Sequence, residues 1–166
     1  MTTPVRAAFG LGSNLGDRRA HLQTAIETLR CAPQIVVLKV SPFVETDPVG
    51  GPEQPDFLNA VVVADTTLPP AALLDLAHQC ESAAHRERVE RWGPRTLDVD
   101  VLAYGELVSN DPELTLPHPR ATERAFVLVP WAAVDPEFVV SGRSVAEWVA
   151  AVDTSVVRPF VLEGDV

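Results

Sequence analysis

Residues 34–64, QIVVLKVSPFVETDPVGGPEQPDFLNAVVVA, place two strands in succession with no helix between them. The segment 34–45 is rich in β-branched residues, which is typical of a strand. Residues 46–56 contain too much proline and glycine for regular structure, and residues 57–64 form a second, apolar strand. Because a doubly wound fold requires a helix between successive strands, this stretch favours an α+β fold.

The flanking segments complete the element order β-α-β-β-α-β. Residues 5–11 predict a buried strand, and Asp17 has the position of an N-cap before a helix. Pro69 and Pro70 suit the first turn of a second helix, and residues 97–104 predict the next strand. The predicted buried faces are Leu22, Ala25, Ile26 and Leu29 in the first helix and Leu73, Leu76, Ala77, Cys80 and Ala84 in the second. We expect a mainly antiparallel sheet with helices packed on one face.

Shorter elements follow in the last third of the chain. A tight turn at Gly105 predicts a short partner strand over residues 107–109. A helical segment near 122–133 contains a proline that interrupts it. Ser144 opens a capping box before a last short helix. Pro159 cannot donate a ladder hydrogen bond, so the C-terminal strand is expected at a sheet edge.

The composition indicates one globular domain, residues 1–166, with 46% hydrophobic and 22% charged residues. The net charge of −10 argues against nucleic-acid binding, which requires a cationic surface. There is no run of about 20 apolar residues and no signal-peptide pattern, so we expect a cytoplasmic protein without a membrane anchor. Cys31 and Cys80 match neither a disulfide framework nor a CxxC metal pattern, and we expect both to fill apolar helix faces.

Two familiar nucleotide-binding motifs do not fit the sequence. The segment 10–16, GLGSNLG, has its third glycine one residue too late for a dinucleotide fingerprint. An NADP-dependent oxidoreductase built on this turn would also need a parallel sheet. A P-loop is absent, because Lys39 is the only lysine and follows no glycine-rich loop.

Residues 86–100, RERVERWGPRTLDVD, carry the strongest chemical signal. Four of the twelve arginines lie within residues 86–95 of this acidic chain, and guanidinium groups bind phosphate in a bidentate fashion. Asp98 and Asp100 follow on a strand, so both carboxylates share one face and lie roughly 7 Å apart. Mg²⁺ is commonly held by one or two carboxylates plus substrate phosphates. The segment therefore predicts phosphate chemistry with Mg²⁺, although an isolated D-x-D can be a solvated strand face.

Two further polar residues leave alternatives open. His118, in a proline-flanked loop near Arg124, is either a surface or capping residue or a phosphate donor. Asn59 lies inside an apolar strand, where an unsatisfied amide costs about 1–3 kcal/mol. It either makes a core hydrogen bond or reads the edge of a flat ligand.

Four motifs together resemble the 6-hydroxymethyl-7,8-dihydropterin pyrophosphokinase family of folate biosynthesis. They are GLGSNLGDR at 10–18, FLNAVV at 57–62, RWGPRTLDVDVLAYG at 91–105 and LTLPHPRATERAFVL at 114–128. The resemblance implies a ferredoxin-like α+β sandwich. It also implies transfer of the β,γ-diphosphate of ATP to a reduced pterin, with two Mg²⁺ ions and release of AMP. We expect a monomer that binds these two small molecules.

The resemblance also implies roles for individual residues. The matching catalytic residues are Arg86, Arg95, Asp98 and Asp100, of which Asp98 and Asp100 are the metal ligands. The matching ATP contacts are Glu81, Arg88, Trp92, Arg95, Val101, Thr115, His118 and Arg124. The matching pterin contacts are Gly12, Thr46, Val49, Phe57, Asn59, Trp92 and Phe126.

The chain departs from the family's common residues at Asp47, Phe57 and His85, and its arginine-rich loop is one residue shorter than in some members. A rival reading is a nucleotide-sensing module without turnover. Such a module would keep the arginines but could dispense with Asp98 and Asp100.

Overall fold

The structure is a computed structural model that describes residues 3–47, 53–84 and 96–160. Its strands are β1 (Val5–Ser13), β2 (Ile35–Val40), β3 (Val44–Thr46), β4 (Phe57–Thr66), β5 (Asp98–Tyr104), β6 (Ser109–Asp111), β7 (Leu114–Leu116), β8 (Val139–Val140), β9 (Arg143–Ser144) and β10 (Val157–Pro159). Its helices are α1 (Arg18–Cys31), α2 (Pro70–Ala83), α3 (Ala125–Val134) and α4 (Val145–Ala150), with a 3-10 turn at Ala121–Glu123.

The main sheet has six strands in the order β10-β3-β4-β1-β5, with β2 paired to β4 beside β3. Every strand pair in the described part of the chain is antiparallel. This confirms the mainly antiparallel α+β sandwich. It also removes the oxidoreductase alternative, which required a parallel sheet.

Helices cover both faces of this sheet, so the expectation of helices on one face is wrong. Helices α1 and α2 pack with Phe9 and Val62 in one apolar cluster. Helix α3 packs with Val61 and Val63 in a second cluster on the other face, where Trp131 is fully buried. The reason is visible in β4, since every residue from Leu58 to Ala64 is buried and the strand must be covered on both sides.

The helix starts follow the sequence signals closely. The Asp17 side chain accepts a hydrogen bond from the Ala20 N–H at 3.1 Å, and the Ser144 hydroxyl accepts one from the Glu147 N–H at 3.2 Å. The buried residues of α1 are the four predicted ones. Helix α2 buries Leu73, Leu76, Ala77 and Cys80 as predicted, and Ala84 is buried just beyond its end. Cys31 is exposed at the end of α1, contrary to expectation, whereas Cys80 is buried.

Three local predictions need correction. The predicted strand 34–45 divides into β2 and β3 at Ser41, whose hydroxyl accepts a hydrogen bond from the Val61 N–H at 2.8 Å and thereby replaces a strand contact. The predicted partner strand 107–109 does not form, since β6 begins at Ser109 and pairs with β7. Helix α3 continues through Pro130 instead of being interrupted there.

The C-terminal strand lies where the sequence predicted it. Strand β10 pairs with β3 at the edge of the main sheet and includes Pro159. No helix in residues 3–47, 53–84 or 96–160 is long and apolar enough to cross a membrane.

Candidate active site

A pocket of about 380 Å³ opens on the α3 side of the sheet. Its floor comes from β1, β4 and β5, and its walls come from the start of α3 and from the segment that leads into β10. Eight residues predicted as site residues line it, namely Gly12, Thr46, Phe57, Asn59, Asp98, Asp100, Arg124 and Phe126. The fold therefore brings together residues that are more than 100 positions apart in the chain.

Asp98 and Asp100 both face the pocket because they alternate with buried residues on β5. Val99 between them is buried, and its N–H donates to the Glu81 carboxylate at 3.0 Å. Glu81, itself buried at the end of α2, thus holds β5 from the opposite face of the sheet. The same alternation turns the Val101 side chain into the core, so Val101 does not line the pocket.

His118 lies beside the aspartates, with its Nε2 4.0 Å from Asp100 Oδ2. Its backbone N–H donates at 2.8 Å to the carbonyl of Leu102, where the pairing of β1 with β5 shifts register. Its Nδ1 accepts from the Arg120 N–H at 3.3 Å, so the ring proton belongs on Nε2, toward Asp100. Burial lowers the pKa of His118, and Arg124 and Arg120 lower it further against the opposing effect of Asp100 and Asp98. The imidazole is therefore neutral near pH 7.

Asn59 and Gly12 line the pocket in one row across the sheet, with Gly12 between Asn59 on β4 and Asp98 on β5. The buried Asn59 amide donates to the Thr46 hydroxyl at 2.9 Å, which fixes the orientation of the side chain. A Cβ on Gly12 would lie 3.0 Å from Asn59 Oδ1, so glycine keeps the approach to that oxygen open. Phe57 and Phe126 add aromatic surface to the same pocket. The arrangement suits a flat, hydrogen-bonding ring.

Some of the predicted site residues do not line the pocket. Thr115 lies on β7, outside the pocket lining, and its hydroxyl donates to the Asp111 carbonyl at 3.0 Å. Glu81 binds the Val99 N–H on β5 and does not line the pocket. The predicted residues Val49, Arg86, Arg88, Trp92 and Arg95 lie outside the described residues, as does the departure at His85.

Several lining residues were not among the predicted site residues. Arg120 and Glu123 come from the turn before α3, and Asp47 follows β3. Val152, Asp153 and Val156 come from the C-terminal segment, where the resemblance fades. No motif marks these three residues. Val152 packs against the α3 cluster, and the pairing of β10 with β3 holds the end of the segment beside the pocket.

The acidic side chains of the pocket decide how Mg²⁺ could bind. No group of three or more His, Cys, Asp or Glu in the described ranges could enclose a metal ion. Two part-exposed carboxylates on one strand face instead match an ion that also takes phosphate and water oxygens. Asp98 and Asp100 therefore fit Mg²⁺ that is bound together with a phosphorylated substrate.

Comparison with known proteins agrees with this geometry. Residues 8–136 match the model of the family described as 7,8-dihydro-6-hydroxymethylpterin-pyrophosphokinase. The chain is 47% identical over 150 residues to the 2-amino-4-hydroxy-6-hydroxymethyldihydropteridine pyrophosphokinase of Methylorubrum extorquens AM1, covering 90% of this chain and 95% of that protein. It is 44% identical over 128 residues to the protein of the same name from Bacillus subtilis 168, covering 77% of each.

A solved structure shares the fold at low sequence identity. The wild-type Plasmodium falciparum HPPK-DHPS with SDX-DHP superposes with a TM-score of 0.68 at 12% identity. The match covers 91% of this chain but 45% of that one, so the chain spans less than half of the solved protein.

Proposed function

The chain belongs to the 7,8-dihydro-6-hydroxymethylpterin-pyrophosphokinase family, and we propose how its pocket carries out the reaction of that family. It is an enzyme of folate biosynthesis. It transfers the β,γ-diphosphate of ATP to 6-hydroxymethyl-7,8-dihydropterin, giving AMP and the pterin diphosphate. The reaction depends on Mg²⁺.

One observation carries the assignment of residues: the Asp98–Asp100 pair and the Asn59–Thr46 pair lie in the same pocket. The Asn59 end takes the pterin, because a fixed amide can donate to and accept from the ring edge. Phe57 and Phe126 contact the faces of the ring, and Gly12 leaves room for it. Arg124, at the start of α3, contacts the phosphates of ATP.

Asp98 and Asp100 would hold Mg²⁺, and we propose two ions. When bound, Mg²⁺ neutralises the charge that moves between the phosphate oxygens during transfer. The two carboxylates would place the positive charge of Mg²⁺ beside the pterin hydroxyl, and Glu81 keeps β5 in position. Neutral His118 donates from Nε2 to a phosphate oxygen and adds no charge of its own.

The transfer itself requires positioning more than a protein nucleophile. The pterin hydroxyl oxygen forms a bond to the β-phosphorus of ATP, and the bond from that phosphorus to the α,β-bridging oxygen breaks. AMP leaves with the bridging oxygen, and the hydroxyl proton passes to solvent.

The family resemblance adds residues that the described ranges do not test. Arg86 and Arg88 are proposed to close over the phosphates, and Arg95 and Trp92 to contact the nucleotide, with Trp92 also near the pterin. Val49 is proposed as a pterin contact. Thr115, through a rearranged β6–β7 hairpin, and Glu81 and Val101, through β5, are proposed to act on the ATP side.

Further proposals concern the protein as a whole. It acts in the cytoplasm, where ATP is available, and it works as a monomer without nucleic-acid or membrane partners. The net charge of −10 supports the first of these two exclusions.

The test is incubation of the purified protein with ATP, Mg²⁺ and 6-hydroxymethyl-7,8-dihydropterin, followed by separation of the nucleotides. We expect AMP only when the pterin is present. Asp98→Ala and Asp100→Ala should each lower the rate by on the order of a hundredfold or more. Formation of ADP would instead identify a monophosphoryl kinase. ATP binding without turnover would favour the nucleotide-sensing module.

A further inference from the structure

The C-terminal segment borders the pocket although it lies beyond residue 136, where the match to the family model ends. Val152, Asp153 and Val156 line the pocket wall opposite the sheet. Strand β10 follows directly and pairs with β3, with Val157 opposite Thr46 and Arg158 opposite Glu45. The wall is therefore attached to the strand that carries Thr46.

Arg158 makes two ion pairs that join the two sides of one connection. Its Nη1 donates to Asp47 Oδ1 at 3.1 Å, and its Nη2 donates to Asp56 Oδ2 at 2.8 Å. Asp47 comes immediately after β3, and Asp56 comes immediately before β4. The planar guanidinium thus holds the end of β3 against the start of β4 from a third strand.

Each of these carboxylates is next to a pocket residue. Asp47 lines the pocket and follows Thr46, whose hydroxyl orients the Asn59 amide. Asp56 precedes Phe57, which lines the pocket. A displacement of Arg158 should therefore move both Thr46, which orients the Asn59 amide, and Phe57.

Arg18 braces the same corner from α1. Its Nη1 donates to Glu45 Oε2 at 2.8 Å and to the Asp56 carbonyl at 3.1 Å. Asp56 is thus held by its backbone from α1 and by its side chain from β10. Because Arg18 also holds this corner, loss of Arg158 should displace Asp47 and Asp56 without unfolding it.

We propose that Arg158 is a positioning residue for the pterin substrate, acting through Asp47 and Asp56. The inference rests on the proposed function of the pocket. Because Arg158 reaches neither the pair Asp98 and Asp100 nor His118 in the contacts described, its loss should affect pterin binding and leave ATP binding and the chemical step unchanged.

The experiment compares Arg158→Ala with Arg6→Ala as a matched control. Arg6 also joins two carboxylates, Asp65 at 3.2 Å and Asp135 at 3.5 Å, and its side chain is 49% exposed against 43% for Arg158. Arg6 does not line the pocket. We expect Arg158→Ala to raise the KM for the pterin roughly three- to tenfold, with kcat and the KM for ATP within about twofold of wild type. Arg6→Ala should leave all three constants unchanged.

The variant Arg158→Lys distinguishes a positioning role of the guanidinium from an effect of its positive charge alone. Arg158→Lys keeps the charge but not the planar fork, so its KM for the pterin should lie between those of wild type and Arg158→Ala. Asp47→Asn and Asp56→Asn remove one arm of the fork each and should each raise the KM for the pterin. These two variants also test the proposal if Arg158→Ala fails to fold.

Two results would overturn the inference. One is a KM for the pterin in Arg158→Ala that equals that of Arg6→Ala. The other is a lower kcat together with a higher KM for both substrates and a lowered Tm, which indicates a general structural role. Wild-type protein that forms no AMP would instead refute the proposed function, so the two failures are distinguishable.

Discussion

Asn59 is a polar residue in a strand that is otherwise apolar, and the structure explains how it is accommodated. Its buried amide donates to the Thr46 hydroxyl across the β3–β4 pair. The sequence alone left a core hydrogen bond and ligand recognition as alternatives; the structure shows the hydrogen bond, and ligand recognition stays a prediction. One side of the amide is fixed by the protein, while the side chain as a whole lines the pocket.

Thr46→Val removes the hydroxyl while keeping the shape of the side chain. The Asn59 amide then loses its partner, and we expect the free energy of unfolding to fall by about 1–3 kcal/mol. The KM for the pterin should rise as well, because the amide is no longer oriented. Urea denaturation and steady-state kinetics measure the two effects. Thr46→Ser retains the hydroxyl and serves as the control; equal losses in both variants would argue against the hydrogen bond.

The two cysteines should differ in reactivity. Burial raises the pKa of the Cys80 thiol to about 11, with the neighbouring Glu81 carboxylate contributing, whereas Cys31 is exposed. At pH 8 a thiol reagent should label one cysteine in the native protein and two after denaturation. Labelling of Cys31→Ser at the rate of wild type would contradict this assignment.

The same shift predicts a pH dependence of stability. The folded-state pKa of Cys80 is raised, so the protonated thiol favours the folded state. Its contribution is complete below the ordinary thiol pKa and is lost as pH rises toward about 11. Denaturation of wild type and Cys80→Ala across this range should show a steeper loss for wild type.

Residue spacing accounts for part of the site and not for the rest. The strand period placed Asp98 and Asp100 on one face, and that same period places the Val101 side chain in the core, outside the pocket lining. Contacts between paired strands, such as Asn59 with Thr46, depend on register. Register is set by the whole sheet, so the local sequence does not specify it.

At the scale of elements, one carboxylate links a helix to β5, the strand that carries Asp98 and Asp100. Glu81 on α2 accepts from the Val99 N–H on β5, which lies at an edge of the main sheet. The helix thereby satisfies a backbone donor between Asp98 and Asp100. Helix α2 is thus connected to the site without contributing to its surface.

Glu81→Ala should lower the free energy of unfolding by about 1–3 kcal/mol, since it leaves the Val99 N–H buried without this acceptor. It should also lower kcat through displacement of β5. Glu81→Gln keeps an acceptor oxygen and should retain most of the stability. Chemical denaturation separates these outcomes, and equal destabilisation by both variants would show that charge matters more than the hydrogen bond.

The order and type of the main elements were predictable because hydrophobic period and capping residues are local signals. The division of the predicted strand 34–45 at Ser41 depends on a hydrogen bond from the Val61 N–H, which no local sequence pattern predicts. The covering of both sheet faces could have been inferred from the continuous apolar run of β4, since a strand with one solvated face alternates.

At the scale of the whole molecule, the exposed apolar side chains are scattered. The large ones in the described ranges are Leu15, Val36, Leu38, Leu107, Val108, Val139 and Val156, which lie on several different elements. Stable dimers bury larger continuous surfaces. Together with the charge of −10, this distribution favours the proposed monomer.

Sedimentation velocity over a range of protein concentrations tests the oligomeric state. We expect a single species at the chain mass of 17.9 kDa that does not change with concentration. A species of twice this mass that persists on dilution would contradict the proposal. Repeating the measurement with Val36→Asp and Leu38→Asp would then show whether β2 is the interface.

The pairing of β10 with β3 also has a consequence for the order in which the protein is made. Arg158 is 111 residues from Asp47 and 102 from Asp56, so these contacts can form only after the chain between them has been made. The aspartates of β5 and the amide of β4 leave the ribosome earlier. A nascent chain can therefore assemble β1, β4 and β5 before Arg158 binds Asp47 and Asp56. Full affinity for the pterin should therefore develop only once Arg158 has been made, when the central strands β1, β4 and β5 already exist.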